Sequence, residues 1–190
     1  MKHIKLASAI AVIMGIAFAG SAVAANNSGT ITFTGAVNDV TCTVKGGSGS
    51  DGGTGDFVVG LTPADASQLA AAGDIANPKR FDVQIGGPGQ GTCTDGKIGA
   101  MSFETASPQI DAATGALRNV LAGEATNVQV QLADAAGTVI NLADPSFSVP
   151  FTIDANNTAI IPYTAQYLAV NGAATPGLVR TDVLYKVVYN

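Results

Sequence analysis

Tryptophan is absent from this 190-residue chain, histidine occurs once, and there are only two cysteines. Charged residues make up just 12% of it, where about 25% is usual for a soluble domain. Each scarcity excludes something. The lone histidine is His3, so acid–base chemistry and metal binding lose their commonest side chain. Nine Lys+Arg against fourteen Asp+Glu leave no basic surface to neutralise nucleic-acid phosphates. Long apolar runs are missing too. The longest, Leu6 to Phe18, falls short of the roughly 20 residues that a membrane-spanning helix needs.

What is present begins with a leader. Lys2 and Lys5 form a positive start, Leu6 to Phe18 an apolar stretch, and Ala22-Val23-Ala24 a small-x-small site, which together predict cleavage between Ala24 and Ala25. Residues 1–24 are therefore expected to be a signal peptide. Their removal leaves 166 of the 190 residues and takes His3 and two of the nine cations away. The remainder carries a net charge of −7 and no histidine. In an exported chain the two cysteines, Cys42 and Cys93, read as a disulfide. The loop it closes would gain roughly 4 kcal/mol on the chain-entropy account.

The dominant pattern is alternation of apolar and polar residues, bounded by Gly, Asn, Asp and Pro. It predicts strands at Thr30–Thr34, Phe57–Leu61, Phe81–Ile85, Lys97–Phe103, Asn127–Leu132, Thr138–Leu142, Phe147–Ile153, Thr158–Ala169 and Leu178–Tyr189. Asp134 to Gly137 reads as a hairpin turn. A single helix is predicted over Ala64–Ala72, with Pro63 ahead of it and Gly73 as its stop. Many strands without alternating helices predict an all-β antiparallel sandwich in one domain. Two glycine-rich stretches, 45–55 and 86–91, are expected to be loose loops beside the cysteines.

Motifs that invite chemistry fail on context. Gly47 to Gly52 spells GxGxxG, but no helix opens after it to receive a pyrophosphate. Gly52 to Asp56 resembles one calcium nonapeptide, a unit that needs neighbouring repeats to close an oxygen cage. Glu104 and Glu124 are the only glutamates, and a glycosidase would need a close carboxylate pair. No enzyme, cofactor or metal is expected. The two ends of the chain remain open to two readings. Gly29, Ile31 and Phe33 share one face, as do Val183, Tyr185, Val187 and Tyr189. Each set suits an ordinary sandwich strand or one that pairs with another molecule, and Pro176-Gly177 suits a type II turn.

Taken together these residues resemble the subunits of chaperone–usher fimbriae, the type 1-like pilin family. The resemblance rests on Gly29 to Val37 leading through Thr41-Cys42-Thr43-Val44, on Phe81-x-Val83-x-Ile85 before Cys93, and on the C-terminus. There Gly177 stands fourteenth from the end and Tyr189 is penultimate, as in the family's terminal signature. The resemblance implies an incomplete immunoglobulin-like antiparallel β-sandwich over 35–190, missing its final strand, with a donor-strand extension over 25–34. Gly29, Ile31 and Phe33 would be donated, and Gly177, Val183, Tyr185, Val187 and Tyr189 would line the accepting groove. The implied partners are a periplasmic chaperone, an outer-membrane usher and neighbouring pilin subunits. Assembly would carry the chain through the periplasm to a surface fimbrium serving cell adhesion and biofilm, with any receptor met through the assembled pilus. A tip adhesin or secreted carbohydrate-binding domain is the alternative.

Overall fold

The computed structural model describes residues 42–189, and the predicted leader, cleavage site and Thr30–Thr34 strand lie outside them. Eight strands and one short helix are present in this region: β1 (Val44–Gly46), β2 (Ile75–Gly86), β3 (Ile98–Phe103), β4 (Leu117–Arg118), β5 (Val128–Ala133), β6 (Val149–Thr152), β7 (Thr158–Ala169) and β8 (Tyr185–Tyr189), with a 3-10 turn at Ala66–Leu69. All pairings are antiparallel. One sheet runs β1-β2-β7-β5-β4 and the other β6-β3-β8. The fold is an antiparallel β-sandwich, as the alternation predicts, and it is immunoglobulin-like, as the family resemblance implies.

Period-two patterning decides which side chains meet between the sheets. Phe81, Val83 and Ile85 on β2 and Ile161, Tyr163 and Ala165 on β7 turn inward and are buried. Met101 and Phe103 do the same on β3. The Tyr163 ring lies 5.7 Å from Phe81 in its own sheet and 5.5 Å edge-on from Phe103 in the other, tying the layers together. Two prolines sit inside strands where the absent N–H costs nothing. Pro150 is on the edge strand β6, and Pro162 lies past the end of the β5–β7 pairing.

Several sequence expectations need correction. The predicted helix over Ala64–Ala72 shrinks to four residues of 3-10 turn, because only Leu69 has a core to enter and a short helix cannot repay its nucleation. The turn ends at Leu69 with Ala70 as its cap, so Gly73, at φ 95°, is not its stop but belongs to the turn that follows. Phe57–Leu61 is extended but belongs to neither sheet. Thr138–Leu142 makes one bridge, Ala133 with Val139, not a strand, although the 134–137 turn forms as predicted. Of Leu178–Tyr189, only the last five residues are laddered.

The glycine-rich stretch 45–55 is not loose. It folds back on itself and onto β2, with Gly46 N–H to Gly53 O and Asp82 N–H to Ser48 O. A Cβ on Gly49, at φ 82°, would stand 2.2 Å from the Arg80 carbonyl oxygen, so only glycine fits there. The second stretch, 86–91, is pinned as well. Gln90 reaches across to Thr43 with both ends of its amide, accepting from the backbone N–H and donating to Oγ1.

Candidate functional site

The last twelve described residues form the site's first wall. From Leu178 to Tyr189 the burial alternates, with Val179, Thr181, Val183, Tyr185, Val187 and Tyr189 facing inward. None of the six is fully buried, although the apolar ones touch the core. The β8 part is held by β3, and the stretch before it by single bonds. Val120 N–H donates to Arg180 O, Arg180 N–H to Asn119 Oδ1, and Leu184 N–H to Ser107 Oγ. β8 is an edge strand, so its other side has no strand partner among the described residues.

The second wall is the extended segment Phe57–Leu61. Phe57, Val59 and Leu61 point to the same core and are likewise only half-covered. Its ends are anchored by side chains rather than by a ladder. The Asp51 carboxylate accepts from the Gly53 and Val58 amides, each at 3.0 Å. At the other end Asn77, a bulge residue at φ 48°, donates its side-chain amide to Pro63 O at 2.6 Å. The two walls meet at one point. The Phe57 and Tyr185 rings are 6.1 Å apart, and the Tyr185 hydroxyl donates to Gly55 O.

Electrostatically the site is plain. Burial raises the Tyr185 phenol above its ordinary value, helped by the nearby Asp56 charge, and burial raises that of Tyr189 too. The Asp51 carboxyl is held below 3.8 by the Val58 and Gly53 amides. The two glutamates serve structure: Glu104 Oε1 lies 3.1 Å from Lys186 Nζ, and Glu124 Oε2 accepts from Leu178 N–H at 2.8 Å. Two half-covered apolar rows beside an unpaired strand edge can do one thing well, which is to accept another extended strand.

The predicted residues divide as follows. Val183, Tyr185, Val187 and Tyr189 stand together on the first wall. Gly177 is close by but makes no type II turn: its φ is 154°, and a Cβ would stand 2.2 Å from the Ala125 nitrogen. It lets the chain press against the Glu124–Ala125 backbone. Cys42 and Cys93 are disulfide-bonded, with Cα atoms 5.0 Å apart. Ala24, Ala25, Gly29, Ile31 and Phe33 lie outside the described residues. Sequence reasoning missed that Phe57, Val59 and Leu61 form the opposite wall, although their alternation was visible.

The sequence profile of the family described as fimbrial protein matches residues 31–190. The chain belongs to the fimbrial protein family. Over 191 aligned residues this pilin is 31% identical to the S-fimbrial protein subunit SfaA of Escherichia coli, covering 100% of this chain and 98% of the relative. It is 35% identical to the major fimbrial subunit SMF-1 of Stenotrophomonas maltophilia, over 85% of this chain and 92% of that one. Among solved structures, a chaperone–usher pilus aligns with a TM-score of 0.54 at 18% identity, covering 87% of the pilin and 97% of its own chain. The P pilus rod subunit PapA aligns at 0.53 and 17%, covering 78% and 99%. These two establish the fold. As a member of this family, the pilin is a structural subunit that polymerises with other pilin subunits in a surface fimbrium.

Proposed function

We propose that the pilin polymerises by donating its extension, residues 25–34, into the groove between Phe57–Leu61 and Leu178–Tyr189 of the next subunit. The observation that carries this reading is the half-covered inward row on an unpaired edge strand. An extended donor with Ile31 and Phe33 on one face supplies what the groove lacks. Burying each of those side chains is worth about 1.5–3 kcal/mol. Each backbone hydrogen bond gained by the strand edge adds around 1 kcal/mol. Gly29 passes where a side chain would not fit.

An unfilled groove is an aggregation hazard. The same edge is therefore held by a periplasmic chaperone after the leader, residues 1–24, is removed between Ala24 and Ala25. An outer-membrane usher is the site of exchange. The role is mechanical rather than catalytic, and any receptor is met by the assembled pilus.

The test is a charge in the donor. Ile31→Asp with Phe33→Asp should leave a subunit that folds and is exported but builds no fibre, because two carboxylates would enter an apolar groove. Electron microscopy and counting of sheared surface fibres read the result. Fibres of normal number and length from that double variant would overturn the proposal.

A further inference from the structure

The sandwich has other strand edges besides that of β8, and among the described residues several are shut. The β1 edge is covered by its own loop, with Gly55 N–H donating to Val44 O and Gly46 N–H to Gly53 O. At β4, Arg118 N–H donates to Gln109 O. Beyond its pairing with β1, β2 is broken by the bulge between Ala76 and Lys79, which holds Pro78. One further pair of edges has no such cover. β6 has β3 on one side only, and β7 has no β5 neighbour before Thr164. Between these two edges lies a cleft of about 470 Å³, with Val149, Pro150 and Phe151 on one side and Ile160, Ile161 and Pro162 on the other.

The ladder directions show which backbone groups face that cleft. Ile153 N–H donates to Lys97 O, so the odd-numbered residues of β6 point at β3, while Pro150 and Thr152 point outward. On β2, Asp82 and Gly86 donate away from β7, to Ser48 O and Thr43 O. Phe81, Val83 and Ile85 therefore exchange bonds with Tyr163, Ile161 and Ala159, which leaves Ile160 and Pro162 facing the cleft. The Thr158 amide is taken by Asp154 Oδ1 at 3.0 Å. Each edge thus keeps one outward amide, at Thr152 and at Ile160, and lacks the next because it is a proline. Tolerance explains why a proline can stand on an edge. It does not explain why two, from different sheets, flank one cleft. An open edge here would be hazardous, since Ile160 is 51% exposed and Val149 half-buried, an apolar border that suits an incoming strand.

We propose that Pro150 and Pro162 decide where a donated strand can enter, by denying the β6–β7 cleft the hydrogen-bond donors that strand addition needs. The proposal rests on the donor-strand reading and adds the residues that confine it to one edge. Every subunit brings its neighbours an extended donor with Ile31 and Phe33 on one face. A second edge with an apolar border would give that donor a second place to pair, and a chain of subunits would then branch. Against the two prolines, a carbonyl of the entering strand is left without a partner, and its desolvation is not repaid. β8 has no proline, so the accepting edge keeps every amide.

The experiment adds a labelled peptide of residues 25–37 to sheared fibres, in which the grooves at β8 are already filled. Fibres of the unchanged chain should take up almost none along their length. Pro150→Thr with Pro162→Thr restores both amides with a residue that suits strands, and its fibres should bind about one peptide per subunit. If the double variant builds no fibre, each single variant is measured in the same way. Variant fibres that bind no more peptide than unchanged ones overturn the proposal. So do unchanged fibres that bind it along their length, since the cleft would then be open with both prolines in place. Loss of fibres from all three variants overturns it too, because the prolines would then serve folding or export. Failure of the donor-strand reading itself is seen separately, in the Ile31 and Phe33 variants.

Discussion

Gly177 shows what one residue type decides. Its place fourteen from the C-terminus is legible in the sequence, but its task is not. The backbone at φ 154° presses against Ala125, and the glycine is there because a Cβ would collide. Gly177→Ala should cost about 1–3 kcal/mol through strain in a conformation that side chains avoid. A lower urea midpoint at unchanged slope would register it. Asp51 makes a pH prediction. Amides of Val58 and Gly53 depress its carboxyl below 3.8, so the bonds it makes stabilise fully above that value and fade as pH falls through the lower folded one. Loss of protection of the Val58 amide, taken against its intrinsic exchange rate at each pH, is expected below about pH 4, and Asp51→Asn should abolish that pH dependence. Tyr185 and Tyr189 act at the other end of the scale. Burial raises both phenols, so their contribution is complete below about pH 10 and lost as pH climbs past it. Alkaline unfolding followed by tyrosine absorbance should show that onset.

Elements were legible to different degrees, and the differences have causes. β7 matches its prediction residue for residue, because Thr158–Ala169 is paired with β2 along nearly its whole length and with β5 over its second half, and its inward side chains enter the core. Phe57–Leu61 keeps the alternation without a ladder, since strand assignment needs a neighbour and this segment has none. The glycine stretches mislead for another reason. Composition reports freedom of the backbone, whereas Gly49 uses that freedom to lie against β2. The disulfide works at this scale, fastening the start of the described domain to the segment after β2. Cys42→Ser with Cys93→Ser should cost about 2–5 kcal/mol. The thermal midpoint of the oxidised protein against the double variant measures it.

As a whole molecule, the sandwich has one well-closed side and one unfinished. The Gln131–Gln166 pair on the large sheet and the Phe81–Tyr163–Phe103 cluster belong to a finished domain. The half-covered rows at the groove do not, so stability should depend on what fills them. A peptide of residues 25–37, in excess over its dissociation constant by about 100-fold, should raise unfolding stability by about 2.7 kcal/mol. A calorimetric midpoint that does not move with peptide would contradict the groove's role. By itself the sequence determined the all-β class, the pairing of Cys42 with Cys93 and the inward face of the C-terminal strand. Those follow from local alternation and from a count of two. Only the tertiary structure decided that Phe57 meets Tyr185 of β8 while Val59 and Leu61 join the same core, and that Gly177 lies on Ala125. Such contacts join residues far apart in the chain, and no period along a sequence records which strands become neighbours.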